Sequence, residues 1–153
     1  LVVGNIGPIG GSRHSINRRL LRHFNIFSLD NFSNETTIKI FTNILQLGWK
    51  KSGFGSDVIP LINGIVSASI DVYTSVKKKL FSTVKKPHYI FNIRDISRVI
   101  QGCLLMKKDS ADNKKIFVKL WIHEISRVFY DRIIFENDRE WFFQLLKNFV
   151  NLH

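Results

Sequence analysis

The stretch from Pro87 to Leu105, PHYIFNIRDISRVIQGCLL, constrains the fold more than any other part of the chain. Asn92 is placed to cap a helix, and Asp95, three residues on, is placed to return a bond to it in the manner of a capping box. From there Ile93, Ile96, Val99, Ile100, Cys103 and Leu104 recur at spacings of three and four, so one side of the helix belongs to a core. Arg94, Arg98 and Gln101 fall on the other side. A guanidinium in the first turn meets the positive end of the helix dipole, so helix stability does not explain Arg94. A phosphate or a carboxylate would. The plainer alternative is a solvated polar face on an amphipathic helix.

The rest of the chain divides around that helix. Leu1 to Asn5 is apolar and β-branched and runs into Gly7-Pro8-Ile9-Gly10-Gly11, so it reads as a buried strand ending in a turn. A short helix over Ile16–Phe24, carrying Arg18, Arg19 and Arg22, precedes a second brief strand at Asn25–Leu29. Two strands do not make a stable sheet, so residues 1–32 read as the remnant of a larger parallel sheet, with strands poorly formed here. The chain opens mid-strand and so reads as a piece of something longer. Residues 33–153 read as helices only. One opens at Ser33 and Glu35, is closed by Gly48–Gly55, and carries Ile38, Phe41 and Leu45 together with Ile40, Ile44 and Leu47, which predicts burial over a wide arc. A second runs from Val58 to Leu80, with Pro60 tolerated in its first turn. After the Arg94 helix a fourth spans roughly Asn113 to Ile134, with His123, Glu124, Arg127 and Asp131 on its polar side and spaced for mutual pairing. Asn137 and Glu140 form a capping box before a last helix whose Trp141, Phe142, Leu145, Leu146 and Phe149 point inward. The expected fold class is mainly α, with one or two short strands left from an α/β part followed by an all-helical bundle.

With 153 residues, 44% of them hydrophobic, the chain can bury a real core and is not a disordered segment. Its net charge of +11 points to anionic partners without choosing between nucleotide, nucleic acid, acidic protein and lipid. Most of the excess lies in short lysine runs near helix ends, where cations meet the C-terminal dipole and solvent. The lone cysteine, Cys103, excludes an internal disulfide and a cysteine-built zinc site, and it sits on the apolar side of its helix as a reduced core residue. No apolar run is long enough for a membrane span, and the first residues lack a signal-peptide pattern. The simplest setting is a reducing, intracellular one.

Three catalytic patterns fail on spacing. His123-Glu124 begins like H-E-x-x-H, but the second ligand position is Arg127, which cannot bind zinc. The glycines of Gly4 to Gly11 follow a strand, but no G-K-S or G-K-T occurs anywhere, so there is no P-loop. Phe27-Ser28-Leu29-Asp30 resembles a metal-binding strand end but is followed by Asn31. What remains is a basic set: Arg13, Arg19 and Arg22 in the first part, Arg94 and Arg98 in the second. Arginine suits phosphates, or transition-state charge met from a neighbouring subunit. For Arg22 a structural pair with an acid is the competing reading.

Three runs carry a resemblance to a known family. Gly7-Pro8-x-Gly10-Gly11-x-Arg13 followed by Arg19-x-Leu21-Arg22-His23-Phe24-Asn25 resembles the G-P-P-G-G-G-R-N…R-F-L-R-H-F-N run of dynein heavy chains. Pro87-His88-Tyr89-x-Phe91-Asn92-x-Arg94-Asp95-x-Ser97-Arg98-Val99-Ile100-Gln101-Gly102 is similar to that family's H-Y-x-F-N-L-R-D-x-S-R-V-x-Q-G. Leu120-Trp121-x-His123-Glu124-x-x-Arg127-Val128-x-Tyr130-Asp131-Arg132 resembles its L-W-x-H-E-x-x-R-V-x-Y-D-R. Ile9, Ser12, His14 and Arg18 depart from the pattern, all in or next to the glycine loop. The resemblance is to the second half of an AAA+ module, the third in an axonemal-type dynein. It implies that residues 1–32 end the large α/β subdomain and that 33–153 form the helical lid.

By the same resemblance, Arg94 matches the sensor-two arginine that contacts nucleotide from the lid, with Arg98 beside it. Arg22, or else Arg19, matches an arginine finger offered to the preceding module, and Asn5 matches a sensor-one residue. Also implied are ATP or ADP with Mg in the intact module, neighbouring AAA+ modules, microtubules and dynein intermediate and light chains as partners, no membrane or nucleic acid partner, and the axoneme of a cilium or flagellum as location. The chain itself holds neither Walker motif, so alone it is expected to carry no nucleotide and to be inactive as an ATPase. The competing classes are a basic helical module that binds nucleic acid, which predicts steeply salt-dependent binding, and a protein-interaction scaffold.

Overall fold

The structure, a computed structural model, describes residues 1–7, 15–55, 59–108 and 114–152. The chain forms two units, Leu1–Asn31 and Phe32–His153. Most of the glycine loop, with Arg13 and His14, lies outside the described residues.

Among the described residues of the first unit one helix forms, α1 (Arg18–Leu21), capped by the Asn17 side chain, which accepts the Arg19 backbone N–H at 2.9 Å. The two strands around it, expected to be poorly formed, do not form among the described residues. Residues 1–7 and 25–31 carry no regular structure, and Leu1, Val2, Val3, Ile26, Phe27 and Leu29 are all exposed. The physical reason is the pairing requirement: a strand's backbone groups need a neighbouring strand, and its apolar face needs a partner layer. Among the described residues the only β pairing anywhere is an isolated bridge between Thr83 and Lys86.

Among the described residues the second unit is built from five α-helices. The first, α2 (Asn34–Lys51), starts at Ser33, whose hydroxyl accepts the Thr36 N–H at 3.2 Å. The helix runs through Gly48 and ends at Lys51, inside the predicted Gly48–Gly55 stretch. Gly53, with a φ of +83°, closes it in a Schellman turn. In that turn the Gly53 N–H bonds to the Lys50 carbonyl at 3.1 Å and the Phe54 N–H to that of Trp49 at 3.0 Å. The Trp49 and Phe54 rings meet across it, 5.9 Å apart. The wide arc of burial predicted for α2 narrows to one stripe, Thr37, Phe41, Leu45 and Trp49, leaving Ile40, Ile44 and Leu47 exposed.

Helix α3 (Ile59–Lys79) is the centre of the unit and touches all four other helices. Ile62, Ile65, Val66, Ala68, Ile70, Val72 and Val76 are buried, so it is apolar around most of its girth, as a central helix must be. Its buried Ser69 is satisfied in both directions. Its hydroxyl donates to the Ile65 carbonyl at 2.6 Å and accepts the Trp121 indole N–H at 2.8 Å.

Helix α4 (Ile93–Leu104) buries Ile96, Val99, Ile100 and Cys103 as its periodicity predicts, while Ile93 is partly exposed. It packs against α5 (Lys114–Val128). That helix stops six residues before the predicted end. A 3₁₀ turn at Tyr130–Arg132 follows it and delivers the extended, fully buried Ile133. The last helix, α6 (Glu136–Leu152), begins one residue before Asn137, with the Phe135 carbonyl accepting the Asp138 and Arg139 N–H groups at 3.1 and 3.0 Å. Asn137 is therefore inside the first turn rather than its cap. The ends of the α3–α4 and α5–α6 connections are tied together, since Asp138 accepts both Lys86 Nζ and, at 3.1 Å, the Tyr89 hydroxyl.

Candidate functional site

The first turn of α4 is fixed by a carboxylate. Asp95 is buried and accepts the Asn92 backbone N–H at 2.8 Å, the return bond of a capping box. Its other oxygen takes Arg132 Nη1 at 3.0 Å, with Arg98 Nη1 further off at 3.6 Å. Arg132 reaches this carboxylate from the 3₁₀ turn beyond α5, and its Nη2 donates to the Ile90 carbonyl at 2.6 Å. The same guanidinium lies over the Phe91 ring, 4.8 Å from its centroid. One side chain thus holds both the segment entering α4 and the helix's first turn.

Arg94 stands in that turn and is exposed. Asp95 is its neighbour in sequence but points elsewhere, because successive side chains on a helix do not face each other. Among the described residues Arg94 has no ion-pair or hydrogen-bond partner. Arg98 is exposed and leans back to Asp95, so its charge is already partly met. In the first unit Arg19, Arg22 and Asn5 are all exposed. Arg22 Nε donates to His23 Nε2 at 3.1 Å, and among the described residues no acid pairs with it.

The helical polar face read from the sequence holds a surprise at Glu124, which is buried. Arg127 reaches it with Nη2 at 2.6 Å and Nε at 3.0 Å, and His123 Nδ1 lies at 3.3 Å. Gly102 of α4 makes room for it: a Cβ there would fall 2.1 Å from Glu124 Oε2. Next to this carboxylate, burial first and then the Glu124 charge push the Cys103 thiol from 9.0 up to about 12. As an unfolded thiol ionises from 9.0 and the folded one only near 12, Cys103 favours unfolding as pH rises through that window and adds no pH dependence below it. Iodoacetamide at pH 8 is expected to leave Cys103 unmodified until denaturant is added. Labelling of the native chain at the rate of a free thiol would contradict its burial.

The sequence reading did not single out Arg132. Its only trace there was its place at the end of the L-W-x-H-E-x-x-R-V-x-Y-D-R run, next to a helix end that the periodicity placed too late.

A family model described as the dynein heavy chain ATPase lid domain matches residues 49–139, which includes α3, α4, α5 and the Asp95–Arg132 clasp. The chain belongs to the dynein heavy chain lid family. It is 42% identical over 152 residues to dynein axonemal heavy chain 12 of Mus musculus, covering 99% of this chain and 5% of that protein. It is 43% identical over 149 residues to dynein axonemal heavy chain 3 of Mus musculus, covering 96% of this chain and 4% of that protein. The chain thus spans about one twentieth of the length of these curated relatives. In this dynein lid, the start of the helix that carries Arg94 is fixed from a second element.

Proposed function

We propose that the chain is the C-terminal part of a nucleotide-binding AAA+ module, the third in an axonemal dynein heavy chain. Residues 1–32 are assigned to the end of its large α/β subdomain and 33–153 to its lid. Arg94 is the lid arginine that contacts nucleotide phosphate, with Arg98 as a second lid cation. Arg22, or else Arg19, is the finger that meets the preceding module's nucleotide, and Asn5 is the sensor-one residue. The observation that carries the reading is Arg94 itself, an exposed guanidinium without a partner among the described residues, on a helix turn held in place by buried charge. Such a group is ready to pair with phosphate without first leaving another partner.

The nucleotide would be ATP or ADP with Mg, which neutralises charge on the β- and γ-phosphates during transfer. This chain's part is to supply guanidinium groups. The metal's ligands are assigned to the rest of the module. The relatives' names support an axonemal dynein heavy chain as the whole protein. Its partners would then be neighbouring AAA+ modules, microtubules and dynein intermediate and light chains. Nucleic acid is not needed to explain the charge. Lys50 and Lys51 close α2 and Lys77 to Lys79 close α3, where lysines favour the helix dipole.

The test uses the intact heavy-chain motor. Arg94→Ala is expected to weaken nucleotide binding at its own module by about tenfold or more, the worth of a charge-assisted hydrogen bond. Arg22→Ala should slow hydrolysis at the adjacent module while leaving nucleotide affinity at its own module alone. Unchanged binding and turnover in both variants would refute the assignments.

A further inference from the structure

We infer that Arg132 is a positioning residue for Arg94: it sets the direction in which the lid offers its guanidinium to the nucleotide. The inference rests on the phosphate-binding role proposed for Arg94.

Three contacts of Arg132 bracket Arg94 in the chain. Nη2 takes the Ile90 carbonyl at 2.6 Å, the guanidinium covers the Phe91 ring, and Nη1 takes the Asp95 carboxylate at 3.0 Å. The backbone on either side of Arg94 is therefore fastened to one rigid fork. The fork is itself well anchored. Phe129 and Ile133, on either side of the 3₁₀ turn that bears it, are both fully buried. Asp95 cannot do this alone, since its bond to the Asn92 N–H ties the helix to its own cap and not to α5.

The clasp also accounts for the charge pattern. Asp95 absorbs Arg132 and Arg98, which leaves Arg94 as the guanidinium in this turn without an acid among the described residues. Arginine suits position 132 because its planar fork holds Nη1 on the carboxylate and Nη2 on the carbonyl in fixed geometry while its face covers Phe91. Lysine would keep the charge as a flexible point donor without that fixed geometry.

Misplacement of a binding group by a fraction of an ångström lowers affinity without removing any contact to the ligand. A positioning role then has a signature that plain destabilisation lacks, because it exists only while Arg94 is present. The experiment is a double-mutant cycle in the intact motor, with the phosphate-loop lysines of the other modules replaced so that a fluorescent ADP reports on this module. Arg132→Met, and Arg132→Lys as the variant that keeps the charge and the fold, are each expected to weaken ADP binding roughly five- to tenfold in the Arg94 background. In an Arg94→Ala background the same substitutions should change ADP affinity by less than about twofold. Equal losses in both backgrounds, or no loss from either variant beside Arg94, would overturn the positioning role while leaving that of Arg94 intact. If Arg94→Ala alone leaves ADP binding unchanged, the reading of Arg94 fails and this inference fails with it.

Discussion

Phe129→Ala is expected to cost about 3–5 kcal/mol, a large part of the roughly 5–15 kcal/mol that holds a domain folded. Phe129 is fully buried at the point where α5 gives way to the 3₁₀ turn. Its ring stacks against Phe91, ahead of α4, at 5.8 Å and against Phe142 of α6 at 6.5 Å. Its backbone N–H closes the last turn of α5 on the Ile125 carbonyl at 2.9 Å, and its carbonyl accepts the Arg132 N–H at 3.3 Å. Truncation would leave a void at the junction of three elements, where no one of them can close in without dragging the others. For a chain of this size the loss corresponds to a fall in melting temperature of roughly 10 °C or more. Phe143, next to Phe142 on α6 and 53% exposed, supplies the control: its truncation should cost less than about 0.5 kcal/mol. Urea midpoints for the two variants decide the matter, and a similar small shift for both would contradict the packing described.

How much of this could be read from the chain alone follows the range of the interactions. The start of α4 was legible because a cap and its return bond lie within four residues, and the start of α2 because the Ser33 cap bond to Thr36 is equally local. The core stripe of α4 was legible because α4 buries only one side. Helix α2 was not: its second apolar row, Ile40, Ile44 and Leu47, has helical spacing like the first, and only the positions of the other helices show which row is covered. The strands, expected to be poorly formed, depend on long-range pairing too: Leu1 to Asn5 has strand chemistry but pairs with no strand among the described residues. The α5 boundary was misplaced because Val128 to Ile134 keeps apolar spacing while Arg132 is drawn to a carboxylate 37 residues away. Arg94 was picked out by a local argument, its position in the first turn. Arg132, which fixes that turn, could be found only by seeing what Asp95 faces.

Gly102→Ala tests the second long-range contact, and simple propensity predicts the wrong sign for it. In a helix interior alanine is favoured over glycine by about 1 kcal/mol, so the substitution would stabilise α4 if nothing stood against it. What stands against it is Glu124. A Cβ at position 102 would lie 2.1 Å from Oε2, 2.2 Å from Cδ and 2.6 Å from Cγ, so turning the carboxylate alone does not relieve the overlap. The side chain would have to swing from its base and give up the Arg127 fork in a place where it is otherwise buried. Overpacking of this kind costs about 1–3 kcal/mol, and a displaced buried carboxylate adds to it. The net expectation is a loss of about 2–3 kcal/mol. Removing the obstacle reverses the sign. In a Glu124→Ala background the new methyl enters vacated space, and Gly102→Ala should stabilise the fold by up to about 1 kcal/mol. The coupling between the two positions, measured by urea denaturation of the four variants, is therefore expected to be about 3 kcal/mol. A stabilising Gly102→Ala in the presence of Glu124 would mean that α4 and α5 do not approach each other at this glycine.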